Sequence, residues 1–479
     1  MGLISLMGHI KAVLLSRRKR AVAVDSGEVS AEARSAAEIE ALIATLRQQA
    51  PDTRRGANVS LTDLGVDDAF VSPLVATTRD ADAYFRASAV HALADYDLRQ
   101  YPQAESAVLH ALAHDTEADV RAAAVLAIGM QSEAVAHAHL PACLQALKDP
   151  SAEVRREAVQ ALGRWSSEPV VAALRARLHL DTDVDVRIWA IHALARCDTA
   201  NAMPDLFAAT ADLDGSVRAA ALGALRECLD TEDTTLRDLL LAALSDPVPE
   251  VRRQAAESLR FGPPEVLPAL VAAANDPEPR VRLEVVIALG SLRDARAVET
   301  IAARVFDEAD EEVRYYAVSS LGELRNAHAT QHLITVFQTP ALGHRVRWGA
   351  LWALGDSGDF TGMPTLLTAL GDSDAEFRAR AAESIAMLQK GTHADAEPAL
   401  LPALTQALRD SDGNVREQAA QALAAIYPLP ALHALLSDLP ERDSVATHAL
   451  QSAIDAREEL AAATLAATRS GQRGTVHYE

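Results

Sequence analysis

The residues of this chain that carry chemistry are arginines and acids, and they recur. Arg86, Arg121, Arg155, Arg187, Arg218, Arg252, Arg282, Arg314, Arg347, Arg378 and Arg416 follow one another at intervals of 30 to 38 residues. Six positions before them stand Asp80, Asp115, Asp149, Asp181, Asp212, Asp246, Asp276, Glu308, Ala341, Asp372 and Asp410, acidic in ten of eleven cases. A guanidinium and a carboxylate repeated at fixed spacing make bidentate ion pairs. An Asp at a turn also accepts backbone N–H groups. The pattern therefore predicts a ladder of partly buried pairs, in which each acid takes the arginine of its own or of the next repeat. Its clearest members are Asp115, Arg121, Asp149, Arg155, Asp246, Arg252, Asp276 and Arg282. An exposed pair of this kind contributes about 1 kcal/mol or less, whereas losing one partner of a buried pair costs on the order of 3 kcal/mol.

Catalytic chemistry has little to build on. The sequence holds no GxxxxGK[ST], HExxH, GxSxG or EF-hand loop. Cys143, Cys197 and Cys228 are far apart and form no CxxC, which removes zinc ribbons and thioredoxin-like chemistry and suits a reducing compartment. The 15 histidines are dispersed, and the one dense group, His137 and His139, reads as solvated or capping. No metal, cofactor or catalytic residue is assigned. A net charge of −22 opposes attraction to nucleic acid, which needs a basic surface to release counterions from phosphates. Only Lys11, Lys19, Lys148 and Lys390 are lysines among the 45 basic residues.

The elements that must position the ladder are helices. In DPVPEVRRQAAESLRF (246–261), Asp246 and Pro247 mark a turn, and Val251, Ala255 and Leu259 then recur at four-residue steps, the buried stripe of an amphipathic helix. DPEPRVRLEVVIALG from Asp276 and DPSAEVRREAVQALG from Asp149 fit the same frame. Alanine and leucine dominate, aromatics make up 4% of the chain, and Gly and Pro fall between periodic segments. A period in the low thirties denotes stacked helical pairs, each unit packing only on its neighbours.

The Asp, the Val-Arg and the Ala-Leu-Gly ending resemble the HEAT-repeat superfamily, and DVRAAAVLAIG and EVRREAVQALG look like its bacterial phycobilin-lyase-like subclass. The resemblance covers residues 74–427. It implies an all-α, right-handed α-solenoid of about eleven repeats, with the Val-Arg helices lining a concave face. HEAT-like deoxyhypusine hydroxylases bind iron through His-Glu dipeptides, and this chain has none. A bilin lyase-like, chromophore-handling protein acting with a partner subunit is an alternative, although no residue here can be assigned to that chemistry.

Within each Val-Arg helix, positions +3, +4 and +7 after the arginine go to the core, and +1, +2 and +5 face the groove. Most repeats place small or polar residues there. VRIWAIHAL instead presents Ile188, Trp189 and His192, VRYYAVSSL presents Tyr315, Tyr316 and Ser319, and VRWGALWAL presents Trp348, Gly349 and Trp352. Three of the chain's four tryptophans thus fall at groove positions. The last of these repeats also lacks its acid, at Ala341, and its turn adds His344 and Arg345. Aromatic side chains are the usual anchors of protein interfaces, and local rules fail most at functional sites. Packing into gaps left by alanine is the competing role for the same rings. Arg253, Gln254, Glu257, Leu283, Glu284 and Ile287 complete the groove candidates.

Residues 1–20 carry an apolar stripe (Leu3, Leu6, Met7, Ile10, Val13, Leu14) and five positive charges with no negative one. The segment lacks the order of a secretory signal and is too short to span a bilayer. Capping the array, docking on a partner and lying on an anionic membrane all fit it. The expected organisation is 1–20 amphipathic basic segment, 21–73 linker and capping helices (a helix over 36–49), 74–427 solenoid, 428–466 C-terminal capping helices and 467–479 disordered tail. The expected function is a non-catalytic, cytoplasmic scaffold that holds a protein or peptide, favoured to be basic, in an aromatic groove. A peripheral membrane adaptor anchored by residues 1–20 is a further alternative.

Overall fold

The computed structural model describes residues 41, 44, 68–132, 137–197, 199–229, 233–388, 398–439 and 444–469. The basic segment 1–20, most of the helix expected over 36–49, and residues 470–479 lie outside them. The described residues form α-helices and short 3-10 turns, with no strand among them, as an α-solenoid requires. The chain divides into two compact units at Cys228/Leu229.

The first unit contains α1 (Val71–Thr77), α2 (Ala83–Ala92), α3 (Pro102–His114), α4 (Ala118–Gly129), α5 (Leu140–Ala146), α6 (Ala152–Leu162), α7 (Glu168–Leu180), α8 (Val184–Cys197), α9 (Thr199–Ala209) and α10 (Gly215–Cys228). The second contains α11 (Thr234–Ala243), α12 (Pro249–Ser258), α13 (Leu267–Ala273), α14 (Pro279–Ser291), α15 (Val298–Phe306), α16 (Glu311–Glu323), α17 (Ala327–Gln338) and α18 (Gly343–Asp356). It continues with α19 (Met363–Ala369), α20 (Ala375–Leu388), α21 (Leu400–Ala407), α22 (Gly413–Ile426), α23 (Leu429–Asp438) and α24 (Ser444–Arg469). Even-numbered helices from α2 to α22 carry the recurring arginines. Within each unit, each of them packs on the odd-numbered helix before it and on the next even-numbered helix.

Helix starts follow from local chemistry. Pro249 and Pro279 open α12 and α14, where a missing N–H costs nothing. Asp310 and Asp412 cap α16 and α22 by accepting first-turn amides. The core follows the +3, +4, +7 frame: Ala190, Ile191 and Leu194 in α8, and Ala317, Val318 and Leu321 in α16, are fully buried. Each Leu or Val so buried contributes about 1.5–3 kcal/mol. Position +6 is buried as well (Ala193, Ala288, Ala353), because neighbouring even-numbered helices approach closely there.

That approach explains the glycine that ends five of the motifs, at Gly129, Gly163, Gly290, Gly322 and Gly355. Gly355 lies inside α18, and a Cβ placed on it would stand 2.7 Å from the Ser384 Cα of α20. At Gly290 in α14 the same atom would meet the Ser320 Cβ of α16 at 2.6 Å. Small residues on both sides let the backbones meet.

The last helix is the longest of the described elements. α24 continues to Arg469, three residues into the segment 467–479 expected to be a tail. The run of alanine and leucine there has high helix propensity and continues the helix without a core pattern. Its first half packs on α22 and buries Ala446, Leu450 and Ile454.

Candidate partner-binding face

The ladder forms, but the expected partner is corrected: each paired acid takes neither its own arginine nor that of the next repeat, but that of the preceding one, which the stacking of the turns brings beside it. Arg86 donates through Nε and Nη2 to both oxygens of Asp115 (2.8 and 2.9 Å), so the pairing runs to the following repeat. Arg121–Asp149, Arg155–Asp181, Arg187–Asp212, Arg252–Asp276, Arg282–Glu308 and Arg378–Asp410 repeat it. The remaining nitrogen ties the arginine to its own turn: Arg121 Nη1 donates to the carbonyls of Asp115 (2.9 Å) and Thr116 (3.0 Å). The acid in turn accepts a turn amide, as Asp149 does from Ser151 N at 2.8 Å and Asp246 from Val248 N at 2.8 Å. Each rung therefore joins two turns of adjacent repeats with charge-assisted bonds. Burial pushes the Asp276 carboxyl up, but the Arg252 guanidinium and the Glu278 N–H more than offset it, so its pKa lies below the ordinary value. Asp115, Asp149, Asp181 and Glu308 follow the same balance.

The ladder breaks where the acid is missing. The turn before α18 is rebuilt as a 3-10 turn, Pro340–Leu342, followed by Gly343 at φ +79°, a conformation suited to glycine. Arg314 of α16 has no carboxylate ahead of it. Its Nη2 donates to the Glu308 carbonyl, and its buried Nε has no partner. Arg347 leaves the pattern too: its Nε donates to the Phe337 carbonyl at 2.7 Å, and its guanidinium lies over the rings of Phe337 (5.0 Å) and Phe377 (4.6 Å). His344 stacks on Phe377 at 4.6 Å and meets Asp374 at 3.0 Å, so its ring is engaged locally.

Beside this interruption, rings and guanidinium groups interleave. Tyr315 and Tyr316 of α16 meet edge to face at 5.8 Å, and Tyr316 is 37% exposed. Arg345 lies over Tyr315 at 4.6 Å, and Tyr315 rests against Gly349 of α18, where a Cβ would come within 3.1 Å of its ring. Arg380 of α20 covers Trp348 at 3.8 Å and pairs with Glu383 at 2.7 Å. Trp348 and Trp352 are half-buried. Arg380 and Glu383 occupy positions +2 and +5 after Arg378. The frame that marks the tryptophans therefore contains them too, with no ring at those positions of their own repeat to single them out.

The other groove candidates form separate groups. In the first unit, Trp189 and His192 of α8 are half-buried, with rings 6.3 Å apart. Burial lowers the His192 pKa, against an opposing pull from Glu227. In the second unit, Arg253 of α12 pairs with Glu250 (2.9 Å), Glu257 (2.9 Å) and Glu284 of α14 (3.6 Å), and Arg260 also reaches Glu284 at 3.4 Å. Burial and then Glu257 raise the Glu284 pKa. Ile287 is half-buried alongside. Glu257 pairs with Arg253 within α12, and Glu284 is compensated by Arg253 and Arg260 because the fold brings α12 and α14 together. Among the described residues, no helix is long and apolar enough to cross a membrane.

A family model described as HEAT repeats matches residues 39–134, 140–226, 236–308, 298–386 and 363–455, most of the chain. The match is to that family at large; the phycobilin-lyase-like subclass stays an expectation. No curated protein matches the chain. Among solved structures, Kap95p binding RanGDP aligns with a TM-score of 0.57 at 17% identity over 88% of this chain and 66% of that one. Importin beta in an ammonium sulfate condition aligns at 0.55 and 14% identity over 87% and 64%. Kap121p bound to Pho4p aligns at 0.52 and 15% identity over 91% and 56%. The chain spans less than two thirds of the length of each, and at these identities the likeness is one of fold.

Proposed function

The chain belongs to the HEAT-repeat family, and from that premise we propose that it is a non-catalytic scaffold that holds a protein or peptide on the face of its Val-Arg helices. The observation that carries the reading is the band of rings beside the interrupted rung. Tyr315, Tyr316, Trp348 and Trp352 stand on consecutive even-numbered helices at positions that hold small or polar residues in most other repeats. Rings that are half-buried, or exposed as Tyr316 is, supply contact area at little entropic cost on binding. Arg345 and Arg380, stacked on two of them, add donors for a partner's carbonyls or carboxylates. The net charge of −22 favours a positively charged partner at long range, while the local contacts are aromatic and guanidinium in character. The solved structures of similar fold include Kap121p bound to Pho4p, a protein–protein complex, which is consistent with this use of the architecture. Trp189 and His192 form a second, smaller candidate surface in the first unit.

The test compares proteins captured by the wild-type chain with those captured by the Trp348→Ala/Trp352→Ala double variant and by Tyr316→Ser, using quantitative mass spectrometry. Helicity is followed by circular dichroism. The expected result is selective loss of the same captured proteins in both variants with helicity unchanged. Undiminished capture in both variants, or loss of capture only with loss of fold, would overturn the reading.

A further inference from the structure

A different cluster lies on the odd-numbered helices of the second unit. α15 carries Glu299 in its first turn, and α17 carries His328 and His332 at a spacing of four residues, which puts both imidazoles on one side of the helix. α15 and α17 pack side by side as the first helices of consecutive repeats. His328 Nε2 stands 2.9 Å from Glu299 Oε1, and His332 Nε2 stands 3.4 Å from the same oxygen. All three ligand atoms fall within 4.8 Å of one another. The two imidazole rings are 5.2 Å apart between centroids.

We propose that Glu299, His328 and His332 form a three-ligand site for a divalent transition metal ion of the zinc type. Zinc binds imidazole and carboxylate at about 2.0–2.2 Å, so tetrahedral ligands stand roughly 3.3 Å apart. The nitrogen–oxygen separations here are already of that size, and small side-chain rotations complete the geometry. Two imidazoles with one carboxylate suit zinc, copper, nickel or cobalt and disfavour magnesium and calcium, which prefer oxygen-only shells. The side chains of Glu299, His328 and His332 are 71%, 60% and 24% exposed, so an ion enters directly from solvent. Three protein ligands leave a fourth position for water or for a donor from a bound partner. The ion would bridge α15 and α17 and hold two repeats together on the side of their first helices. Glu299 lies 29 residues before His328, so no contiguous motif marks the set; only the His328–His332 spacing is readable in the chain.

The experiment uses the full, tag-free chain stripped with a chelator and titrated with zinc against a chromophoric competitor, with cobalt(II) as a spectroscopic substitute. Expected are one saturable site per chain and a visible cobalt spectrum of low-coordinate character. Loss of an outer-shell partner alone weakens metal sites by roughly 10–100-fold, so His332→Ala and Glu299→Gln, which remove ligands, should each weaken zinc binding by about 100-fold or more. Zinc should raise the thermal midpoint of the wild type and leave that of His328→Ala unchanged. These side chains lie at the surface, and circular dichroism of the metal-free variants checks that they fold. Absence of saturable binding, or binding unaffected by His332→Ala and Glu299→Gln in folded protein, overturns the site.

Discussion

The guanidinium of Arg380 lies over the indole of Trp348, 3.8 Å from the ring centroid, and the two residues come from consecutive even-numbered helices. Burial lowers the Arg380 pKa, with Glu383 opposing, and its Nε is buried without a hydrogen-bond partner. The stack adds to the Glu383 ion pair on the side of the guanidinium that has no hydrogen-bond partner. A desolvated cation over an indole contributes about 1–2 kcal/mol.

Arg380→Ala therefore uncovers Trp348. The expected outcome is a red shift of tryptophan emission and a stability loss of about 1–2 kcal/mol in urea unfolding. Arg380→Lys keeps the charge but loses the planar stack and should recover only part of the effect. An unshifted emission spectrum in Arg380→Ala would count against the stack.

Asp276→Asn tests the rung. Asn keeps the shape and can still accept the Glu278 N–H, but Arg252 loses its counter-charge. The Arg252 and Asp276 side chains are only 11% and 7% exposed, which places the cost at about 2–3 kcal/mol rather than the 1 kcal/mol or less of a surface pair. Hydrogen exchange in α12 and α14 should rise together, because the bond joins their turns.

Acid should weaken the array through the same groups. The carboxyls of Asp115, Asp149, Asp181, Asp276, Glu308 and Asp410 have native pKa values below their ordinary ones. A depressed native pKa contributes stability that is fully present above the unfolded value, about 4, and is lost as pH falls through the native value. The urea midpoint should be flat between about pH 7 and pH 5 and fall below about pH 4, less steeply in Asp276→Asn. A midpoint unchanged down to about pH 3 would contradict the ladder's role.

Two glycine substitutions separate two causes. Gly355→Ala drives a Cβ against the Ser384 backbone and should cost about 1–3 kcal/mol by overpacking, despite the better helix propensity of alanine. Gly343→Ala meets nothing within 4 Å, so its cost, about 1 kcal/mol, is backbone strain at positive φ alone. Thermal unfolding of both variants checks the order.

Repeat architecture was legible because its determinants are local. The acid, the Val-Arg, the alanines at +3 and the leucines at +7 each act within one helix or one turn, and a period near 33 residues restates them down the chain. Helix type, the buried stripe and the existence of an Asp–Arg pairing all follow from residues close in sequence. The aromatic positions +1, +2 and +5 were legible for the same reason.

Tertiary stacking decided the rest. The sequence points Asp149 to its own Arg155 or to Arg187 of the next repeat, but the rise between repeats brings Arg121 of the preceding one to it. The charge of Glu284 is met by Arg253 and Arg260 of the preceding repeat, so a carboxylate that looks free in the chain is partnered in space. Arg380 covers Trp348 and Glu299 meets His328 only because helices some thirty residues apart lie side by side. Periodicity along one helix determines which face is buried; what touches that face is set by the packing of one repeat on the next.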